Sequence, residues 1–316
     1  MLAAVADDVL MATLASRGVA ADLARAEMGK LRRHPAYEVA ADLARRLDRL
    51  ERQVQARAAL LALAPPAEAV PRRAGLTRAR FLNDFYAANR PVVITDVVPT
   101  WPAFGRWTPE HLRDTYGDVP IDACMDREAD PDYDMRAAAH ARPTTMRALA
   151  ERVLATDASN DFYLIARNHA IATGGLRGLL DDVGPLPDWL MPAPDPSWLS
   201  LWFGPGGTVT PLHHDANNIC FCQIYGRKRF KLIAPSYPAL LASARGFYAA
   251  LDPDAPREGW EERFADVQVL DVELAPGEAL FIPVGWWHQV RATTPSISFS
   301  LLSFAFPNQD AGAFAP

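Results

Sequence analysis

The stretch Trp202-Phe-Gly-Pro-Gly-Gly-Thr-Val-Thr-Pro-Leu-His-His-Asp215 decides the reading of this chain. Side chains two residues apart in an extended backbone point to the same face, so His213 and Asp215 project together while His214 points away. One imidazole and one carboxylate on a single strand fill two corners of a metal site. A third ligand has to come from elsewhere, and His288, in Gly285-Trp-Trp-His-Gln-Val, is the natural candidate. Two histidines with one carboxylate leave coordination positions open, the arrangement that suits non-haem Fe(II). Alone, a His-x-Asp pair is a weak signal.

Its neighbours strengthen it. Gly226-Arg227 reads as a two-residue hairpin turn with glycine where a positive φ is needed. Beyond the turn, Lys228, Phe230 and Leu232 share one face and Arg229 and Lys231 the other. One lysine therefore lies on the apolar side of a strand. A buried ammonium is costly without an anion, so Lys228 predicts a bound carboxylate or similar group.

Outward from these motifs the chain shows many short apolar runs cut by Gly, Pro and Asp. Expected strands are Pro91–Ile94, Phe162–Ile165, Leu199–Phe203, Ile219–Tyr225, Lys228–Ile233, Val267–Val272, Ala279–Ile282, His288–Ala292 and Ile297–Phe304, with a short helix from Pro109 to Tyr116. Such a pattern predicts a barrel or sandwich rather than alternating βαβ units. Residues 1–64 differ: they are rich in Ala, Leu and Arg, and Pro35 is their one proline, so they read as helical. Leu43, Leu47, Leu50 and Val54 form one apolar stripe, either a packing face against the chain's own domain or a dimerisation element. Pro65-Pro66 and Pro71-Arg72-Arg73 mark residues 65–75 as a linker, leaving 76–316 as the catalytic domain.

Composition narrows the partners. Half of the 316 residues are hydrophobic and the net charge is −6 with no basic block, which argues against nucleic acid. No run reaches membrane-spanning length, and no signal peptide opens the chain, so a cytoplasmic protein is expected. The 3 cysteines, Cys124, Cys220 and Cys222, read as small buried hydrophobes. His34, His111, His140 and His169 lack ligand-like neighbours, and Trp286 and Trp287 read as packing residues. Ser296, Ser298 and Ser300 share one face, lining either a polar barrel interior or a solvated surface.

Arg90-Pro-Val-Val-Ile-Thr95, Trp202-Phe-Gly-Pro205, Thr210-Pro-Leu-His-His-Asp215, Gln223-Ile-Tyr-Gly-Arg-Lys228 and Gly277-Glu-Ala-Leu-Phe-Ile-Pro283 through Trp287-His288 follow one another in order. Together they resemble the cupin-like branch of the Jumonji-C dioxygenases, which includes small protein hydroxylases. The resemblance implies a mostly β fold with flanking helices, a double-stranded β-helix (jelly roll) behind the helical N-terminal segment. It implies Fe(II), 2-oxoglutarate and O2 as cofactor and co-substrates, with His213, Asp215 and His288 as iron ligands. It places Thr210 and Lys228 on the distal carboxylate of 2-oxoglutarate, Tyr163 as an assisting tyrosine, and Asn218 near the co-substrate, although Ala216-Asn217-Asn218 departs from the family's wording there. The implied activity is hydroxylation of a protein or peptide side chain. N-methyl-lysine demethylation by the same chemistry, or a catalytically silent jelly roll that binds a peptide or sugar, are the alternatives. Residues 125–145 and 236–266 are the expected substrate-facing insertions.

Overall fold

The structure, a computed structural model, describes residues 7–61, 63, 68–165, 170–172, 174–255 and 259–308. Pro65-Pro66 and His169 lie outside the described residues. The chain divides into two units, Met1–Pro65 and Pro66–Pro316.

The first unit is helical: α1 (Asp7–Ser16), α2 (Ala21–Arg32) and α3 (Pro35–Leu61). Pro35 occupies the first position of α3, where its missing N–H would be unpaired in any helix.

The second unit carries the strands β1 (Arg72–Arg73), β2 (Val92–Ile94), β3 (Pro120–Cys124), β4 (Ala141–Thr145), β5 (Leu199–Gly204), β6 (Val209–His214), β7 (Ile219–Tyr225), β8 (Lys228–Ile233), β9 (Leu270–Leu274), β10 (Ala279–Ile282), β11 (Trp287–Ala292) and β12 (Ser296–Leu301). They form a six-stranded sheet in the order β1-β2-β10-β7-β12-β5, a four-stranded sheet in the order β6-β11-β8-β9, and the separate hairpin β3-β4. Val93, Phe221 and Leu280 from the larger sheet share one buried cluster with Phe230, Leu232, Val272 and Val290 from the smaller. The two sheets thus face each other across an apolar interior, as a jelly roll requires.

Period-two alternation places the remaining side chains. On the larger sheet Leu201, Phe203, Cys220, Cys222, Ile297 and Phe299 point outward into a second cluster with Leu112 of α4 (Pro109–Tyr116) and Leu149 and Val153 of α5 (Met146–Leu154). Thr108 and Thr145 cap those helices by accepting the His111 and Ala148 N–H groups. On the smaller sheet Leu212, Ile233 and Trp287 point outward under Leu240, Leu251 and Phe264. Ser296, Ser298 and Ser300 are buried and face inward, so the solvated reading of that face does not hold.

Some local expectations shift. Phe162–Ile165 contributes only two bridges, Tyr163 to Cys124 and Leu164 to Phe203. The strand expected at Val267–Val272 runs instead from Leu270 to Leu274, because its pairing with Lys228–Leu232 sets where it begins. The last strand ends at Leu301 rather than Phe304. Within the stretch read as a linker, Arg72 and Arg73 pair in parallel with Val93 and Ile94.

Candidate active site

Three elements bring His213, Asp215 and His288 together. His213 on β6 lies directly across from His288 on β11, with ring centroids 4.1 Å apart. Asp215 follows β6, and its backbone oxygen accepts the Gly285 N–H at 2.9 Å, tying that end of β6 to the turn before β11. Asp215 Oδ2 stands 3.8 Å from His213 Nε2 and 3.4 Å from His288 Nε2. The three ligand atoms lie within 4.8 Å of one another, close enough to share one ion.

The tautomers suit a metal. His213 Nδ1 is 2.8 Å from the Pro211 carbonyl, and His288 Nδ1 is 3.0 Å from the Trp286 carbonyl. A carbonyl only accepts, so each Nδ1 carries the proton and each Nε2 offers a lone pair toward Asp215. Burial and then the neighbouring His288 push the His213 imidazole down, favouring its neutral form. Desolvation favours the neutral form of the Asp215 carboxyl, but the neighbouring His288 and His213 side chains hold it well below the usual carboxylate range. Its side chain remains 39 % exposed, so the ligand set opens to solvent at the barrel mouth. Ionised oxygen plus two neutral imidazole nitrogens on one face is the donor set of a non-haem Fe(II) centre.

His214 takes no part. Its ring meets Trp287 edge-on at 4.5 Å and Phe247 at 5.4 Å on the outer face of the sheet. Trp286 and Trp287 are buried packing residues, and Trp286 Nε1 donates to the Asn89 carbonyl at 2.9 Å.

Deeper in the barrel lies Lys228, 1 % exposed. It pairs across β11 with Ala292, while His288 pairs with Leu232, so four residues of β8 separate their rows, about 13 Å along the strand. Lys228 Nζ donates to Tyr163 Oη at 2.7 Å and lies 5.1–5.7 Å from the ring centroids of Phe221, Tyr163 and Trp202. No carboxylate pairs with it among the described residues, and burial pushes its pKa down to about 7. Arg229 and Lys231, on the opposite face, pair with Asp271 and Asp254. Burial raises the Tyr163 phenol, which stays neutral; its oxygen accepts from lysine and its own proton remains to be donated. Gly204 makes room for that ring, since a Cβ there would come within 2.7 Å of it.

Thr210 reaches the same interior by an irregularity. Strict alternation from His213 would turn Thr210 outward. The β6–β11 register instead shifts between His288 and Val290, so that Thr210 sits opposite Val290, an interior residue. The bulge contains Pro211, which has no N–H to contribute to the ladder. Asn218 is engaged structurally: its amide donates to Asn308 Oδ1 at 3.1 Å and accepts the Val284 N–H at 2.9 Å. Around the interior wall, Ser300 accepts Trp202 Nε1 at 3.1 Å and Ser298 donates to Gln223 Oε1 at 2.8 Å.

Three residues near the site have no counterpart in the sequence reading. Arg127, 1 % exposed, donates to the Val209 carbonyl at 2.8 Å, lies 3.6 Å from Asp134 and stacks 5.3 Å from the Tyr163 ring. Asp134 accepts the Tyr248 hydroxyl at 2.8 Å, and the Tyr248 ring lies 5.7 Å from that of His213. With Arg245 on Asp132, these contacts clasp the two insertions together beside His213. An arginine in an acidic run reads as a solvated charge, so only the three-dimensional contacts reveal Arg127.

The two-sheet barrel carries three residues that could hold one metal ion, and residues 78–302 match the family described as a cupin-like domain. The chain belongs to that family. It is 30 % identical over 248 residues to the lysine-specific demethylase JMJ30 of Arabidopsis thaliana, covering 73 % of this chain and 54 % of the relative. It is 28 % identical over 229 residues to lysine-specific demethylase 8 of Xenopus tropicalis, covering 70 % and 49 %. With the human bifunctional peptidase and (3S)-lysyl hydroxylase JMJD7 it shares 25 % identity over 252 residues, covering 70 % and 79 %. The chain spans about half the length of the first two relatives.

Proposed function

We propose that this chain is an Fe(II)- and 2-oxoglutarate-dependent oxygenase that hydroxylates a side chain of a protein or peptide. One observation carries the reading: a His/Asp/His cluster and a buried lysine with no carboxylate partner among the described residues belong to the same barrel. His213, Asp215 and His288 would hold the iron. Lys228, the Tyr163 phenol and Thr210 would receive the distal carboxylate of 2-oxoglutarate. With iron, 2-oxoglutarate and O2 in place, one oxygen atom goes to the co-substrate, which leaves as succinate and CO2, and the other becomes a hydroxyl on a substrate C–H bond. The protein's part is orientation and exclusion of water: Phe221, Phe230 and Val290 keep the interior apolar, and the clasped insertions flank the mouth where a substrate chain would enter.

Demethylation of N-methyl-lysine is the second reading, favoured by the names of two of the relatives above. Both outcomes begin by oxidising a C–H bond. Mass spectrometry of candidate peptides separates them, since hydroxylation adds one oxygen atom and demethylation removes a methylene with release of formaldehyde. The class itself is tested by titrating 2-oxoglutarate into anaerobic, iron-loaded protein and measuring succinate after O2 is admitted. Thr210→Val should weaken 2-oxoglutarate binding by on the order of 1 kcal/mol, one neutral hydrogen bond. Protein that takes up iron yet neither binds 2-oxoglutarate nor makes succinate with any candidate substrate would be a silent jelly roll.

A further inference from the structure

The described residues of the N-terminal unit form almost no interior. Among its described residues only Ala24 is buried, whereas Val39, Leu43, Leu47, Leu50 and Val54 on α3 are 61 %, 53 %, 59 %, 58 % and 37 % exposed. The half-buried side of α3 carries Tyr37, Ala41 and Ala44, so this apolar stripe is a separate face. A unit of this size with almost no core needs something to cover its apolar surface.

The spacing of the stripe says what kind of cover fits. From Leu43 the steps are four, three and four residues, which places Leu43 and Leu50 at d and Leu47 and Val54 at a of a heptad. Arg46 then falls at g and Glu51 at e. In a parallel, in-register pair a g residue faces the e residue five positions later on the other helix. Arg46 of one copy therefore meets Glu51 of the second, and symmetry repeats the contact. Both groups are available. Arg46 holds only Asp42, an exposed pair one turn back on its own helix, and Glu51 has no ion pair among the described residues. Val39 and Leu60 add apolar flanks at g positions. The surface is complementary to itself in both apolar spacing and charge.

We propose that this protein is a homodimer held by parallel, in-register pairing of α3, with Leu43, Leu47, Leu50 and Val54 as the seam and Arg46–Glu51 as flanking ion pairs. The partner is a second copy of this chain.

Sedimentation equilibrium of the full chain tests it. The wild type should be a dimer, and Leu47→Glu with Leu50→Glu should make it monomeric while metal binding by the second unit stays intact. Both leucines are exposed in the single chain, so neither change disturbs its packing. Arg46→Glu should raise the dimer dissociation constant by about tenfold or more, the loss of roughly 1.4 kcal/mol. Adding Glu51→Arg to Arg46→Glu should restore the wild-type value, because the charges are exchanged rather than removed. Arg45→Glu, at the outward f position, serves as the control. A wild type that stays monomeric overturns the proposal, whether or not another protein binds the stripe. So does a dimer indifferent to the paired leucine changes, or a charge-exchanged double variant no tighter than Arg46→Glu alone.

Discussion

At the scale of single residues the site depends on which way a side chain faces. His213 and His214 are adjacent, yet one offers Nε2 to Asp215 and the other packs on Trp287. His213→Ala should abolish Fe(II) binding or nearly so, and His214→Ala should leave it largely intact, both read by anaerobic metal titration. Equal losses in the two variants would refute the assignment of ligands. Lys228 makes a second prediction, through pH. Burial holds it at about 7 in the ligand-free protein. An unfolded lysine titrates near 10.4, so between about 7 and 10 the unfolded chain binds more protons than the folded one. The contribution of this group to stability therefore rises with pH across that window. Binding runs the other way. A carboxylate beside Nζ favours the charged form, so 2-oxoglutarate binding above pH 7 should take up a proton and weaken by up to about tenfold per pH unit. Calorimetry in buffers of different ionisation enthalpy measures that uptake. Lys228→Met should abolish it and lower affinity by about tenfold or more, the loss of a charge-assisted bond of roughly 1.5–3 kcal/mol.

Elements convert these orientations into a pocket. Gly226-Arg227 does not close a hairpin, because β7 and β8 belong to different sheets; it carries the chain from one sheet to the other and so delivers Lys228 to the interior, with Gly226 at φ +69°. A Cβ there would lie 1.9 Å from the Pro295 carbonyl oxygen, backbone that has no room to yield. Gly226→Ala should destabilise the protein by at least about 1–3 kcal/mol and shift Lys228 with the turn, lowering both the melting temperature and 2-oxoglutarate affinity. A variant with wild-type melting and binding would show the turn to be tolerant. The β6 bulge is the second such device. Without it, Thr210 would face Leu212's side of the sheet and the interior would lose a hydroxyl.

Across the whole molecule, the His/Asp/His cluster joins β6 to β11 and the proposed co-substrate anchor joins Tyr163 to β8, so ligands would bridge elements far apart in sequence. Binding to the folded state alone must then stabilise it. Metal plus 2-oxoglutarate at about a hundred times their dissociation constants should add on the order of 2.7 kcal/mol per site, seen as a melting temperature several degrees higher. Asp215→Ala, which removes a proposed iron ligand, should erase most of that shift. A shift of full size in this variant would place the ligands elsewhere.

Much of this was legible in the sequence because it is periodic or local. Alternation separated Lys228 from Arg229, and the His-x-Asp spacing put His213 and Asp215 together, where the structure also brings His288. Strands β7, β8 and β10 lie at the expected residues because their apolar runs are long and cleanly bounded by turns. Tertiary structure alone decided the rest. A bulge turned Thr210 inward against simple alternation, since register is set by pairing with β11 rather than by β6 itself. Cross-strand pairing moved β9 to Leu270–Leu274. Burial of Arg127 came from contacts with Val209, Asp134 and Tyr163, all distant or unpatterned in the chain. Local spacing states which residues can face together; only long-range pairing and packing determine which of them do.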